Sequence, residues 1–382
     1  MPLLPTSRNG LAIRIVLAAS LTVPAAVTVS ASASAAAGGA GQTARAAARA
    51  GHRTVAASTA GTLLAWGQGS DGQLGNGHRA KVQLTPVRVR LPRGVTVTSV
   101  RAGCDHTLAL TSTGRVLAWG FNGDGELGDG SRKSTDTPVW AKLPKGAKIA
   151  AIRAGCDHNL ALTTRDQVLA WGRGLYGQLG IGSHRLRTRP VRVHLPAGSR
   201  IRMIAAGCLH SLAVSTHGQL YGWGFNAFGQ IGDGTTTERD TPVKVSLGSW
   251  VNGSPKPRLV ALFGGLGHSL ALLSDGVLLA WGNNLYGQLG DGTGNNSYVA
   301  VQVAEPGGTK VAAIAAGGYN GLALSSTHQL RAWGNNADGT LGNGTTTGSN
   351  APVAVTLAPG LRVTGIGGGP FASTLFAIVR KT

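Results

Sequence analysis

Six Trp-Gly pairs, beginning at Trp66, Trp119, Trp171, Trp223, Trp281 and Trp333, follow one another at spacings of 53, 52, 52, 58 and 52 residues. Each of the six heads the same pattern, W-G-x-x-x-x-G-x-[LI]-G-x-G. In the third copy the fixed positions are Trp171, Gly172, Gly177, Leu179, Gly180 and Gly182. Thirteen residues before the Trp stands His106, His158, His210 or His268 in four copies, and Arg53 or Asn320 in the other two. A chain of 382 residues could hold two or three ordinary domains. Self-similarity at this period points instead to one array of like units.

Each unit breaks into short β-branched runs with Gly or Pro between them, which is the strand signal. In the second copy the runs are H-T-L-A-L-T, G-R-V-L-A-W-G, T-P-V-W-A-K and K-I-A-A-I-R-A-G. Sixty glycines and only 13% charged residues fit many tight turns and leave little helix-forming sequence. Four short antiparallel strands cannot bury both faces alone, and stacking such sheets around an axis buries them against one another. The expected fold is an all-β propeller of four-stranded antiparallel blades spanning residues 53–382. Its repeats run 61–113, 114–165, 166–217, 218–275, 276–327 and 328–382, giving six complete units and a ring of six or seven blades.

The W-G-x-N-x-x-G-Q-L-G core, the following P-V-x-V and the A-G-x-x-H-x-L-A-L close resemble repeats of the regulator of chromosome condensation family over residues 53–379. The resemblance implies a propeller, which in that family usually closes seven blades. Two segments, Thr54 to Ser58 and Thr374 to Val379, would fit the same strand slot and could seal the ring.

The N-terminus suggests export. Arg8 and Arg14 precede or open an apolar run, Ile15 to Val29, followed by small residues with an Ala31-Ser32-Ala33 cleavage site. Residues 1–33 therefore read as a signal peptide and 34–52 as a flexible Ala/Gly/Ser linker. The run is shorter than the ~20 residues a membrane span needs, so no stable span is expected. The mature protein is expected to be secreted or attached to the cell envelope.

Three cysteines fall in register as Cys104-Asp105-His106, Cys156-Asp157-His158 and Cys208-Leu209-His210. A metal site would need several of these to converge. The His recurs with the repeat and is expected to tie turns by hydrogen bonds. Equivalent positions on adjacent blades are often too far apart for a disulfide, which needs Cα atoms within about 7 Å. The cysteines thus read mainly as structural, with pairing left open, and their odd number leaves at least one thiol unpaired within the chain. The loop around Asp124 and Asp129 has Leu127 where a calcium loop needs its turn Gly. No nucleophile stands with a base at recognisable spacing. The expectation is a protein that is not an enzyme, with no cofactor, no metal and no small-molecule substrate.

Recognition in a propeller falls to loops, since its strands are committed to packing. The W-G loop and the A-G-x-x-H turn are expected on one rim. Five residues after each Trp stand Asp71, Asp124, Tyr176, Phe228, Tyr286 and Asp338. The A-G-x-x-H turns add Asp105 and Asp157, then Leu209 and Leu266, then Tyr319. The rim therefore divides into an acidic and an aromatic crescent, the latter suited to anchoring a partner.

Positive charge is expected elsewhere. The chain's net charge is +20, and residues 61–217 hold 21 basic against 8 acidic residues, while 218–382 hold 9 against 7. Arg88, Arg90, Arg132, Lys133, Arg185, Arg187, Arg189 and Arg192 would form a basic edge able to meet an anionic polymer. The favoured function is a monomeric, non-catalytic scaffold that recognises a protein or polymer through the loop face. Alternatives are an inhibitor of a secreted enzyme such as a β-lactamase, and a binder of nucleic acid or anionic polymer through the basic edge. Guanine-nucleotide exchange, known in the family, is not expected of an exported chain whose only length excess is about six residues around Trp250 to Pro257.

Overall fold

Apolar runs of five to seven residues bounded by Gly, Pro and Asn are of strand length and too short for stable helices. The computed structural model describes residues 14–16, 62–252, 256–369 and 375–381. Five sheets hold four antiparallel strands each in meander order, over residues 97–140, 149–192, 201–245, 259–302 and 311–354. They are numbered here as blades 2 to 6. Blade 1 consists of Leu64–Gln68 and Val82–Arg88, with Arg14–Val16 laid antiparallel along Leu64–Trp66. The last two strands, Leu361–Gly367 and Phe376–Lys381, pair with each other and pack on blade 6 through Val363 and Ile366. The chain is the all-β propeller of repeated four-stranded blades that its period requires.

Sequence repeat and blade are out of phase. Ile149–Ala154, grouped by sequence with the three runs before it, is the first strand of blade 3. Each repeat supplies the third and fourth strands of one blade and the first and second of the next. L-P-K-G and L-P-A-G consequently join blades, on the face opposite the W-G loops. The sixth repeat ends in a hairpin equivalent to the first two strands of a blade. Blade 1 owns the third and fourth, and Arg14–Val16 lies where the other blades have their second strand. Of the two segments expected in the closing slot, Phe376–Lys381 forms a strand paired with Leu361–Gly367, and Thr54 to Ser58 lies outside the described residues. The linker at 34–52 and the rest of the N-terminal segment also lie outside them.

The first strands of successive blades lie side by side around the axis, and the core is a series of layers between blades. Leu160, Leu162, Val168 and Leu179 of blade 3 meet Ile204, Ala213, Tyr221 and Trp223 of blade 4. Trp119, Trp171, Trp223, Trp281 and Trp333 are fully buried. Removing each such ring from water contributes on the order of 4–6 kcal/mol. Every indole N–H then donates across the layer to the previous W-G loop: Trp119 Nε1 to the Gln73 carbonyl at 2.8 Å, Trp171 to Glu126 at 2.8 Å, Trp223 to Gln178 at 2.9 Å.

The glycine nine residues after Trp follows from this docking. Gly180 has φ +65°, and a Cβ there would lie 2.7 Å from Trp223 Nε1. No side chain fits between the loop and the neighbouring indole. The extra residues of the fourth repeat form a 3-10 turn, Gly248–Val251, whose Trp250 and Val251 pack on the layer between blades 4 and 5.

Candidate functional site

In blades 2 to 6 the W-G loop and the turn between the first two strands are stitched together by their main chains. Phe121 N–H donates to the Asp105 carbonyl at 2.7 Å, Arg173 to Asp157 at 2.7 Å, Phe225 to Leu209 at 2.9 Å and Asn335 to Tyr319 at 3.0 Å. The two loops therefore form one face. A buried Gln seven residues after Trp fixes the tip: its Oε1 accepts from the N–H of Tyr176, Phe228 or Tyr286 at 2.8 to 3.0 Å.

The residue five after Trp leans toward the first turn of the next blade, and this junction changes character around the ring. Tyr176 of blade 3 meets Phe225 of blade 4 edge to face at 5.1 Å, and Phe225 meets Phe228 at 6.1 Å. Phe228 lies over Gly267, where a Cβ would be 3.5 Å from its ring. Tyr286 of blade 5 meets Tyr319 of blade 6 at 4.9 Å. Beneath them Cys156, Cys208, Leu209, Phe225 and Leu266 make a buried apolar floor. Leu175, Leu285 and Tyr286, on the W-G loops of blades 3 and 5, are 50%, 64% and 42% exposed. Phe225, Leu175 and Leu285 were not among the expected site residues. They occupy the second and fourth positions after Trp, which vary between repeats as the fifth does. Leu266, grouped by sequence with Leu209, takes the cysteine position instead, and Gly267 takes that of Leu209.

The acidic side is denser than its spacing suggests. Burial, then the charges of Asp71 and Asp157, push the Asp105 carboxyl up to about 6. Burial also raises Asp157, with Arg173 opposing and Asp124 adding to the effect. Arg173, a further residue not expected from the sequence, reaches Asp157 at 3.3 Å and Asp124 at 4.0 Å. Glu126 stands where blades 1, 3, 4 and 5 place Gln, accepting from Asp124 N–H at 2.9 Å. Its burial foremost pushes it up to about 8, so it holds a proton at neutral pH. Asp338 is exposed on blade 6.

The recurrent His, expected to tie turns, joins blades. His106 Nε2 lies 2.8 Å from Asn159 Oδ1, and Asn159 Nδ2 donates to the Glu126 carbonyl. His158 and His210 reach Ser211 and Ser269 at 2.9 Å, and both hydroxyls donate onward to carbonyls of Gln178 and Gln230. With acceptors in these places Nε2 carries the hydrogen. Burial holds His106 down at about 4 and His158 and His210 at about 3.

The pairing that the sequence left open is decided by the fold. Cys156 and Cys208 form a disulfide, with Cα atoms 4.7 Å apart, and Cys104 is free. These residues sit on the innermost turns, where the ring is narrowest. A hoop of main-chain hydrogen bonds draws them together: Cys104 N–H to the Cys156 carbonyl at 3.1 Å, Cys156 to Cys208 at 3.1 Å, Cys208 to Gly265 at 3.0 Å and Leu266 to Gly318 at 3.0 Å.

The basic residues do not make one continuous edge. Arg88 and Arg90 are exposed at the outer strand of blade 1, and Arg185, Arg189 and Arg192 on blade 3, where Arg187 is half-buried. Between them the outer strand of blade 2, Thr135–Trp140, carries Asp136 and no basic residue. Lys133 is exposed, and its neighbour Arg132 turns to the rim, 4.0 Å from Asp124.

The family model described as RCC1-like domain matches residues 21–375. The ultraviolet-B receptor UVR8 of Arabidopsis thaliana is 34% identical over 300 residues, covering 78% of this chain and 67% of the receptor. The human E3 ubiquitin-protein ligase HERC2 is 31% identical over 334 residues, covering 85% of this chain and 7% of the ligase. The chain thus spans about two thirds of the plant receptor and a small part of the ligase. Among solved structures, human WBSCR16 superposes with a TM-score of 0.70 at 26% identity, over 80% of this chain and 79% of that one. Yeast RCC1 (Prp20), solved bound to Kap60, superposes with a TM-score of 0.72 at 22% identity, over 91% and 83%, a likeness of fold.

Proposed function

The chain belongs to the RCC1-like domain family, and we propose on that premise that it is a non-catalytic scaffold whose protein partner seats on the W-G loop face. The observation that carries this reading is the set of large apolar side chains on the W-G loops of blades 3 to 5: Leu175, Tyr176, Phe225, Phe228, Leu285 and Tyr286. Three of these large apolar side chains are well exposed, on the same face as a buried apolar floor and a group of carboxylates. Aromatic anchors rimmed by polar groups are where binding energy concentrates. The framework positions beneath, Trp, Gly, Gln and His, are spent on holding blades together, which leaves the rim side chains free for recognition.

We place the mature protein outside the cytoplasm, so that cleavage after Ala33 takes away Arg14–Val16 and frees the edge of Leu64–Trp66 in blade 1. The charged start, the apolar run and the Ala31-Ser32-Ala33 site support export, and a disulfide suits an oxidising compartment. Affinity capture from culture supernatant and envelope fractions, with the mature chain as bait, tests the reading. Replacing Tyr176, Phe228 and Tyr286 together by Ala should abolish capture while the melting temperature moves by only a few degrees. Replacing Arg88 and Arg192 by Gln should leave capture intact. Capture lost with the arginines and kept without the aromatics would transfer the site to the outer strands.

A further inference from the structure

Cys104, Cys156 and Cys208 hold the same position in the first turn of blades 2, 3 and 4. The hoop repeats one geometry between them: the N–H of each donates to the carbonyl of the next at 3.1 Å. In the second of these two equivalent junctions the sulfurs are already joined, across a Cα separation of 4.7 Å. Cys104 packs at the edge of the same apolar floor and is half-buried. We propose that Cys156 is a shared sulfur, and that the disulfide moves between Cys156–Cys208 and Cys104–Cys156.

The exchange balances without any outside oxidant. The Cys104 thiol loses its proton and the sulfur attacks Cys156 Sγ. A bond forms between Cys104 and Cys156 while the bond from Cys156 to Cys208 breaks. Its electron pair leaves on Cys208 Sγ, which takes up a proton, so one disulfide and one thiol remain. Burial, with Asp157 and Asp105 alongside, pushes the Cys104 thiol up, which keeps the attacking thiolate scarce and the exchange slow. The two registers differ in what they clamp. One ties blades 3 and 4 and leaves a thiol beside Asp105. The other ties blades 2 and 3 beneath the carboxylates and leaves a thiol beside Leu209, under the aromatic side of the rim.

Thiol counting on single variants tests the geometry. Under conditions that close Cys156–Cys208 in Cys104→Ser, the Cys208→Ser variant should close Cys104–Cys156 and show no free thiol. Cys156→Ser, whose remaining cysteines are not neighbours, should show two. The unmodified chain, held at mildly alkaline pH and then denatured in acid with a maleimide, should carry the label on Cys104 in some molecules and on Cys208 in others by peptide mass mapping. Two free thiols in Cys208→Ser, or label confined to Cys104 after prolonged incubation, would overturn the proposal.

Discussion

The phenol rings of Tyr286 and Tyr319, carried by neighbouring blades, meet edge to face with centroids 4.9 Å apart. The pair is a junction as well as a surface. A double-mutant cycle with Tyr286→Ala and Tyr319→Ala, followed by denaturant unfolding, should give a coupling of about 0.5–1.5 kcal/mol. A coupling near zero would mean that the rings sit side by side without holding blades 5 and 6 together.

Stability should peak at about pH 7. The four buried histidines have folded-state values of about 4, 3, 3 and 4 against 6.5 ordinarily, so below pH 6.5 the unfolded chain takes up protons that the folded chain refuses. Stability due to them is lost as the pH falls from 6.5 toward 3. Asp105 and Glu126 act in the opposite sense, because the folded chain keeps protons that the unfolded chain has released. Their effect is a loss of stability as pH rises, up to about 6 for Asp105 and about 8 for Glu126. Above about pH 7.5, once the histidines of the unfolded chain have lost their protons, Glu126 is the group of this set still titrating. Glu126→Gln, which installs the side chain of blades 1, 3, 4 and 5, should flatten the alkaline decline in a series of urea titrations.

Ser211 performs two tasks, accepting from His158 at 2.9 Å and donating to the Gln178 carbonyl at 2.9 Å. Ser211→Ala strands a buried imidazole N–H and should destabilise the fold by about 1–3 kcal/mol. Ser211→Asn should be the milder change, because Asn159 does both tasks at the equivalent place one blade earlier. Equal losses from the two substitutions would show that volume, and not the relay, decides.

Two glycines with left-handed backbone separate strain from close packing. Gly198 has φ +75° with nothing within 4 Å of where an added methyl would sit, whereas Gly180 has φ +65° and faces Trp223. Gly198→Ala should cost about 1–2 kcal/mol, the strain alone. Gly180→Ala should cost clearly more and should also shift the fluorescence of Trp223.

The propeller was legible because Trp, Gly and Leu recur in step, and packing between like units tolerates only like residues. The phase of blade against repeat was not, since a strand's sequence does not say whether its partner precedes or follows it. Ile149–Ala154 reads equally well in either sheet. The disulfide was hidden for a related reason: sequence gives a separation of 52 residues and no radius, and the radius at Cys156 is small. Tyr176, Phe228 and Tyr286 stand out when one column is compared across the repeats. Phe225, Leu175, Leu285 and Arg173 fall in two nearby columns, the second and fourth after Trp, whose variation carries the same signal.

The hoop of N–H to carbonyl bonds through Cys104, Cys156, Cys208 and Leu266 draws on atoms that every amino acid but proline can offer. The mouth of the ring is thus held by a part of the chain that substitution does not alter. Loop chemistry can drift from carboxylate to phenol to aliphatic without loosening the barrel that displays it. The same chassis can be re-addressed to a new target by rewriting a handful of letters, whether by descent or by design.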